Sequence, residues 1–192
     1  MKGRSIDTVF LDRDGTINVR LVGEWITRPD QFVLLPGAGP ALARLRDAGM
    51  RLIVATNQRG IKLGRFTEAE LDRVHDHMRS LLRPFGVELD AVYYSVPAKG
   101  PRTKPEPGML CDAKRDFPSI DFSRSVMIGD AVRDIQAGLA VGCGTVLIAD
   151  EKHGPAVLAE AREKLVSPHF VVSTIEAAAE QVLNWGLEGI SG

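Results

Sequence analysis

The chain is poor in the features that mark several protein classes. It has two cysteines in 192 residues, Cys111 and Cys143. Two do not make a disulfide framework, and no C-x-x-C pair is present for zinc or redox work. They read as reduced, mostly buried thiols. No apolar run is long enough to span a bilayer. The first residues, Met1 to Asp7, lack the apolar core of a signal peptide. A cytoplasmic protein with no membrane association is expected. Charge of one sign is also lacking: 24 Lys and Arg against 25 Asp and Glu give a net charge of -1. A dedicated nucleic-acid binder usually carries a strong basic excess, so none is expected here. There is no repeat and no low-complexity linker. The length suits one domain spanning residues 1–192, able to bury a core.

What is present is an alternation of short apolar runs and helical patterns. Thr8-Val9-Phe10-Leu11 reads as a buried strand ending at Asp12. Ala41, Leu42, Leu45 and Ala48 recur at helical spacing, closed by Gly49. Leu52 to Ala55 forms a second strand, ending at Thr56. Thr67-Glu68-Ala69-Glu70 is a capping box, and Leu71, Val74, Met78, Leu81 and Leu82 form the apolar stripe behind it. Ala91 to Tyr94 is a third strand, and Pro107 opens a helix to about Phe117. Val126 to Ile128, ending at Gly129-Asp130, is a fourth strand, followed by a helix around Ile135 and Leu139. Thr145 to Ile148 is a fifth, Phe170 to Val172 a sixth, and a last helix covers Ile175 to Leu183.

This alternation predicts an α/β fold, a Rossmann-like three-layer sandwich around a mainly parallel sheet. Ligands of such sheets bind at the carboxyl ends of the strands. Asp12, Thr56 and Asp130 each follow a strand, so they are expected on one edge although far apart in sequence.

Asp12-Arg13-Asp14-Gly15-Thr16 places two carboxylates two residues apart, with a glycine that permits a sharp turn and close approach to a ligand. One carboxylate can attack phosphorus. The other can protonate the leaving oxygen and then activate water. A phosphoryl group approaching these anions requires cations. Magnesium, a hard ion that prefers oxygen, suits the side chains of Asp12 and Asp130 and the carbonyl of Asp14. Lys104 is a candidate clamp on phosphoryl oxygens. Thr56 and the amides of Asn57 and Gln58 are candidate donors.

The ordered set Asp12-x-Asp14-Gly15-Thr16, Thr56, Lys104, then Gly129-Asp130 with Asp134 four residues on resembles the haloacid dehalogenase-like phosphatases. The resemblance implies Asp12 as nucleophile and Asp14 as general acid/base. It implies Thr56 and Lys104 as holders of the phosphoryl group and Asp130 as a magnesium ligand. The gaps Asp12–Thr56 and Thr56–Lys104 leave no room for a cap domain, so a capless, open site is expected.

The wording of Phe10 to Val19, of Thr56 to Ile61 with Gly64 to Glu68, and of Lys104 to Leu110 is similar to the D-glycero-D-manno-heptose-1,7-bisphosphate phosphatases. That resemblance implies removal of the 7-phosphate in nucleotide-activated heptose synthesis. Histidinol-phosphate phosphatases share much of this wording and supply the alternative. The expected partner is a small sugar phosphate, and the expected state a monomer or weak homodimer. Three departures stand out. The stretch Ser95 to Thr103 has none of the cysteines or the histidine that hold zinc in many relatives, so no zinc is expected. Thr103 stands where the heptose enzymes usually have an arginine, and Ala131 where they often have a lysine. Arg102, Arg59 and Arg133 are candidates to replace that charge. Glu24 and Trp25 either wall the sugar pocket or form a surface loop with one packed aromatic. Asp134 either orients the metal site or is a first-turn helix carboxylate. The four histidines read as structural or solvent-exposed, and Arg13 as a residue that orders its loop.

Overall fold

Alternating side chains of the apolar runs need cover on both faces, and a parallel sheet between helices supplies it. The computed structural model describes residues 6–96 and 99–188. Its six strands are β1 (Thr8–Leu11), β2 (Arg51–Asn57), β3 (Ala91–Ser95), β4 (Ser125–Gly129), β5 (Gly144–Ile148) and β6 (Phe170–Val172). They form one sheet in the order β3-β2-β1-β4-β5-β6, and every pairing is parallel. The helices are α1 (Ala38–Asp47), α2 (Glu68–Leu82), α3 (Gly108–Asp116), α4 (Val132–Ala140), α5 (Gly154–Glu163) and α6 (Ile175–Glu188). All six expected strands are present. Helix α5 was not anticipated: it buries only Gly154, Val157 and Ala161, too few for a legible stripe.

The pleat sorts the core. Val9, Leu11, Leu52, Val54, Val126, Ile128, Val146 and Ile148 face one side, packed with residues of α1, α2 and α6. Phe10, Ile53, Ala55 and Met127 face the other, against Met109, Leu110 and Ala113 of α3. Leu147 extends that side beneath Val132 and Ile135 of α4 and Val157 and Ala161 of α5. These are the three layers expected. Thr67 caps α2 as its sequence foretold: Oγ1 accepts from the Glu70 amide at 3.2 Å, while the Glu70 carboxylate accepts from the Thr67 amide at 2.7 Å.

The chain leaves β1 toward β2 on one side and reaches β4 on the other, so the carboxyl ends of β1 and β4 form a switch point where a crevice opens. Between Asp12 and Thr56 lie a loop and α1; between Thr56 and Lys104 lie α2 and β3. No cap domain occurs among the described residues. No described helix is long and apolar enough to cross a membrane. One reading needs correction: Cys143 is buried, but Cys111 is exposed. Pro97 and Ala98, inside the stretch read as free of zinc ligands, lie outside the described residues.

Candidate active site

The loop after β1 is wound around the Arg13 carbonyl, which accepts from the amides of Thr16, Ile17 and Asn18 at 2.8–3.3 Å. Gly15 has φ +89°, and a β-carbon there would collide with the Asp130 carboxylate. Glycine is therefore required twice, for the turn and for the approach of β4's end. The Asp12 amide donates to Ile128 O at 2.9 Å, which fixes the nucleophile candidate at the β1–β4 edge.

Lys104 Nζ lies 2.8 Å from Asp12 Oδ1 and 2.7 Å from Asp134 Oδ1, and donates to Ala55 O at 2.6 Å. All three charged side chains are nearly or wholly buried. Burial alone would lower the Lys104 pKa, but Asp12 and Asp134 outweigh it and hold the ammonium above its usual value. Burial would likewise raise the Asp12 carboxyl, but Lys104 and then Arg133 bring it below the ordinary carboxylate value. Asp12 is thus a buried carboxylate held in its ionised form, with an oxygen chemically able to act as a nucleophile. Asn57 anchors the lysine's backbone reciprocally, donating to Lys104 O at 2.9 Å and accepting from Lys104 N at 3.1 Å.

Asp134 is a first-turn helix carboxylate with a second partner outside its helix. Its Oδ2 accepts from the Ala131 amide at 3.0 Å, capping α4, while Oδ1 holds Lys104. Burial leaves its carboxyl above the usual value. A β-carbon on Gly129 would strike its side chain, so that glycine makes room for it.

Asp14 points into a separate cradle. Arg13 Nη2 donates to both its oxygens at 3.0 and 2.9 Å, Asn18 Nδ2 donates at 3.0 Å and Gln58 Nε2 at 3.1 Å. Gln58 Nε2 also donates to Thr56 Oγ1 at 2.9 Å. Arg13 is 1% exposed and touches His75 Nε2 at 3.2 Å. Burial, then the Arg13 charge, pushes His75 down to about 3, so the imidazole is neutral and leaves the Arg13 charge to Asp14.

Asp130 completes the edge. Ligating oxygens of Asp12, Asp130 and Asp134 can lie within 4.8 Å of one another. Burial, then the Asp12 charge, pushes the Asp130 carboxyl up to about 8. Lys104 does not neutralise this cluster, and Asp134 is committed to Lys104 and the helix cap. Asp12 and Asp130 therefore remain as oxygen donors, and the set fits a hard divalent cation.

A cavity of about 220 Å³ opens at these groups, lined by Asp12, Asp14, Thr56, Asn57 and Gln58. Arg13, Arg20, Glu24, Trp25 and Arg133 also line it. Trp25 borders this cavity and packs at Gly60, with the Arg65 guanidinium 5.4 Å from its ring centre. Several sequence expectations need correction. The Gln58 backbone amide donates to Ser95 O at 2.7 Å, and its side-chain amide donates to Asp14 and Thr56, so both donors already have partners. Arg102 faces a different cavity and pairs with Asp112 at 2.6 Å. Thr103 is buried with its hydroxyl 2.6 Å from Ser95 Oγ. Arg59 is exposed and does not line the catalytic cavity. Two residues went unread in the sequence. Asn18 was visible only as a polar residue four after Asp14. Arg20 was visible only as a cation in the loop after the nucleophile; its Nη2 donates to Asp130 Oδ1 at 2.6 Å and Asp14 O at 3.2 Å.

Known proteins resemble this chain in sequence and in fold. Residues 101–178 match the HAD-hydrolase-like family model. The D-glycero-beta-D-manno-heptose-1,7-bisphosphate 7-phosphatase of Salmonella typhi is 38% identical over 170 residues, covering 82% of this chain and 87% of that protein. The D,D-heptose 1,7-bisphosphate phosphatase of B. bronchiseptica, solved with magnesium and phosphate, superposes with a TM-score of 0.83 at 33% identity, over 93% of this chain and 99% of that one. Its Burkholderia thailandensis counterpart gives 0.70 at 34% identity, over 92% and 98%. With this identity over most of both chains, and the same fold, the chain belongs to the D-glycero-D-manno-heptose-1,7-bisphosphate phosphatase family of haloacid dehalogenase-like hydrolases.

Proposed function

We propose that this protein is a magnesium-dependent phosphatase, one domain over the whole chain, that removes the 7-phosphate of D-glycero-D-manno-heptose 1,7-bisphosphate. The observation that carries the chemistry is Lys104 Nζ at 2.8 Å from Asp12 Oδ1, beside Asp130 and with Asp14 two residues away. The substrate rests on the relatives named for it, at up to 38% identity. A free sugar phosphate also suits a chain of net charge -1.

The geometry supports the following course. An oxygen of Asp12 attacks phosphorus, and the bond from phosphorus to the C7 oxygen breaks. Lys104, fixed by Asp134 and Ala55 O, holds positive charge against the phosphoryl oxygens as negative charge develops there. Asp14, aimed by Arg13, Asn18 and Gln58, gives its proton to the leaving sugar oxygen. It then takes a proton from water, whose oxygen attacks the aspartyl phosphate. Orthophosphate leaves and Asp12 is restored. Asp12, Asp130 and the Asp14 carbonyl would hold magnesium, which would offset the negative charge that the phosphoryl group brings to these carboxylates.

Phosphate release from heptose 1,7-bisphosphate should exceed release from histidinol phosphate in kcat/KM; the opposite ranking would sink the substrate assignment. Asp12→Asn should lower kcat by at least about a thousandfold with an unchanged circular dichroism spectrum, and surviving turnover would remove the covalent step.

A further inference from the structure

Arg20 has no part in the course above, yet it touches the centre of the site. Its Nη2 holds Asp130 Oδ1 at 2.6 Å and Asp14 O at 3.2 Å. Those are two of the three groups assigned to the divalent cation. Two cations drawn to one pair of oxygens in a poorly solvated site repel each other. The arginine is also free to leave. Its side chain is about one-third exposed at 32%, and it rises from a loop whose Val19, Val22 and Glu24 are exposed. It stands in the wall between the catalytic cavity and a neighbouring cavity of about 390 Å³, and borders both.

A sugar bisphosphate brings a second dianion that must lie away from the reacting phosphorus. Few cations of the catalytic cavity can meet it. Lys104 is buried under Asp12 and committed to the reacting centre. Arg102 is held by Asp112 outside this cavity. Ala131 and Thr103 carry no charge. Arg13 lines the cavity but is committed to Asp14, which leaves Arg133 and Arg20. Only Arg20 is bonded to both of those groups assigned to the cation, so the cation's arrival would release it. A freed guanidinium offers two parallel N–H donors, the geometry that suits phosphate.

We propose that Arg20 changes partners during the cycle: it pairs with Asp130 and the Asp14 carbonyl until a divalent cation takes those oxygens, and then holds the second phosphate of the substrate. This rests on the bisphosphate reading above. The metal half is tested without turnover, by titrating Mg2+ calorimetrically into the wild type, Arg20→Ala and Arg20→Lys. Arg20→Ala should bind Mg2+ about fivefold more tightly, the effect of losing a partly exposed ion pair, and melt lower than the wild type in EDTA. The lysine variant should fall between the two. The substrate half is read as the ratio of kcat/KM for heptose 1,7-bisphosphate to that for heptose 7-phosphate, which should drop about tenfold in Arg20→Ala. Unchanged or weaker Mg2+ binding in Arg20→Ala overturns the exchange, and an unchanged ratio overturns the phosphate contact. Turnover of neither sugar by the wild type would instead overturn the functional reading itself, while calorimetry would still decide the exchange.

Discussion

Lys104 is the side chain on which the catalytic edge depends most. It is wholly buried and ion-paired with both Asp12 and Asp134. Removing one partner from such a cluster leaves charge buried without compensation, which costs about 3–5 kcal/mol. Lys104→Ala should therefore lose both turnover and stability, the latter read as a lower denaturation midpoint in urea. An inactive variant with a wild-type midpoint would show that the two carboxylates relax toward water. Arg13 acts differently, since it touches Asp14 rather than the reacting atoms. With His75 neutral beside it, its full charge orients the Asp14 carboxylate. Arg13→Met should lower kcat about ten- to hundredfold and shift the pH profile of kcat, with little change in KM. A pure KM effect would place Arg13 in substrate binding instead.

Among the elements, α2 shows local sequence and tertiary structure in agreement. Its start is written in Thr67 and Glu70, and its buried face, Leu71, Val74, Met78 and Leu82, follows the helical period. Thr67→Ala should cost about 1 kcal/mol of stability and leave kcat unchanged, because the cap lies outside the catalytic cavity. Denaturant unfolding alongside steady-state kinetics checks both halves. Helix α4 is the contrasting case. Its N-cap is Ala131, which offers no side-chain acceptor, and Asp134 at the third helical position supplies a side-chain bond to the cap. That carboxylate could be read as a helix-start residue from its position. Its second bond, to a lysine 30 positions earlier, could not, because nothing local to either residue specifies it. Helix α5, with its weak apolar stripe, was not legible at all.

The whole molecule couples folding, protons and the cation through Asp130. In the folded protein burial, and then Asp12, push this carboxyl up to about 8, with Arg20 opposing the shift. In the unfolded chain it titrates near the ordinary value of about 4. Between those two values the native state binds more protons than the unfolded state. This group therefore makes stability fall as pH rises from about 4 to about 8. A cation that takes the carboxylate displaces its proton, so the gain in melting temperature on adding Mg2+ should grow across the same window. Asp130→Asn should flatten that dependence, and an equal gain at about pH 5 and about pH 8 in the wild type would remove Asp130 as the titrating ligand.

The chain order of Asp12, Thr56, Lys104 and Asp130, each beside an apolar strand or a proline-bounded turn, was enough to read the α/β fold and the gathering of these residues on one edge. The reason is geometric: a parallel sheet delivers all its strand ends to one side, so residues at those ends converge whatever their separation in sequence. The charges around that edge were decided only by the tertiary structure. Arg102, next to the lysine in sequence, points to Asp112, while Arg20 reaches Asp130 across 110 positions. Strand period and motif spacing govern where a backbone goes, but the direction of a long side chain from a loop depends on which oxygens the folded neighbours present.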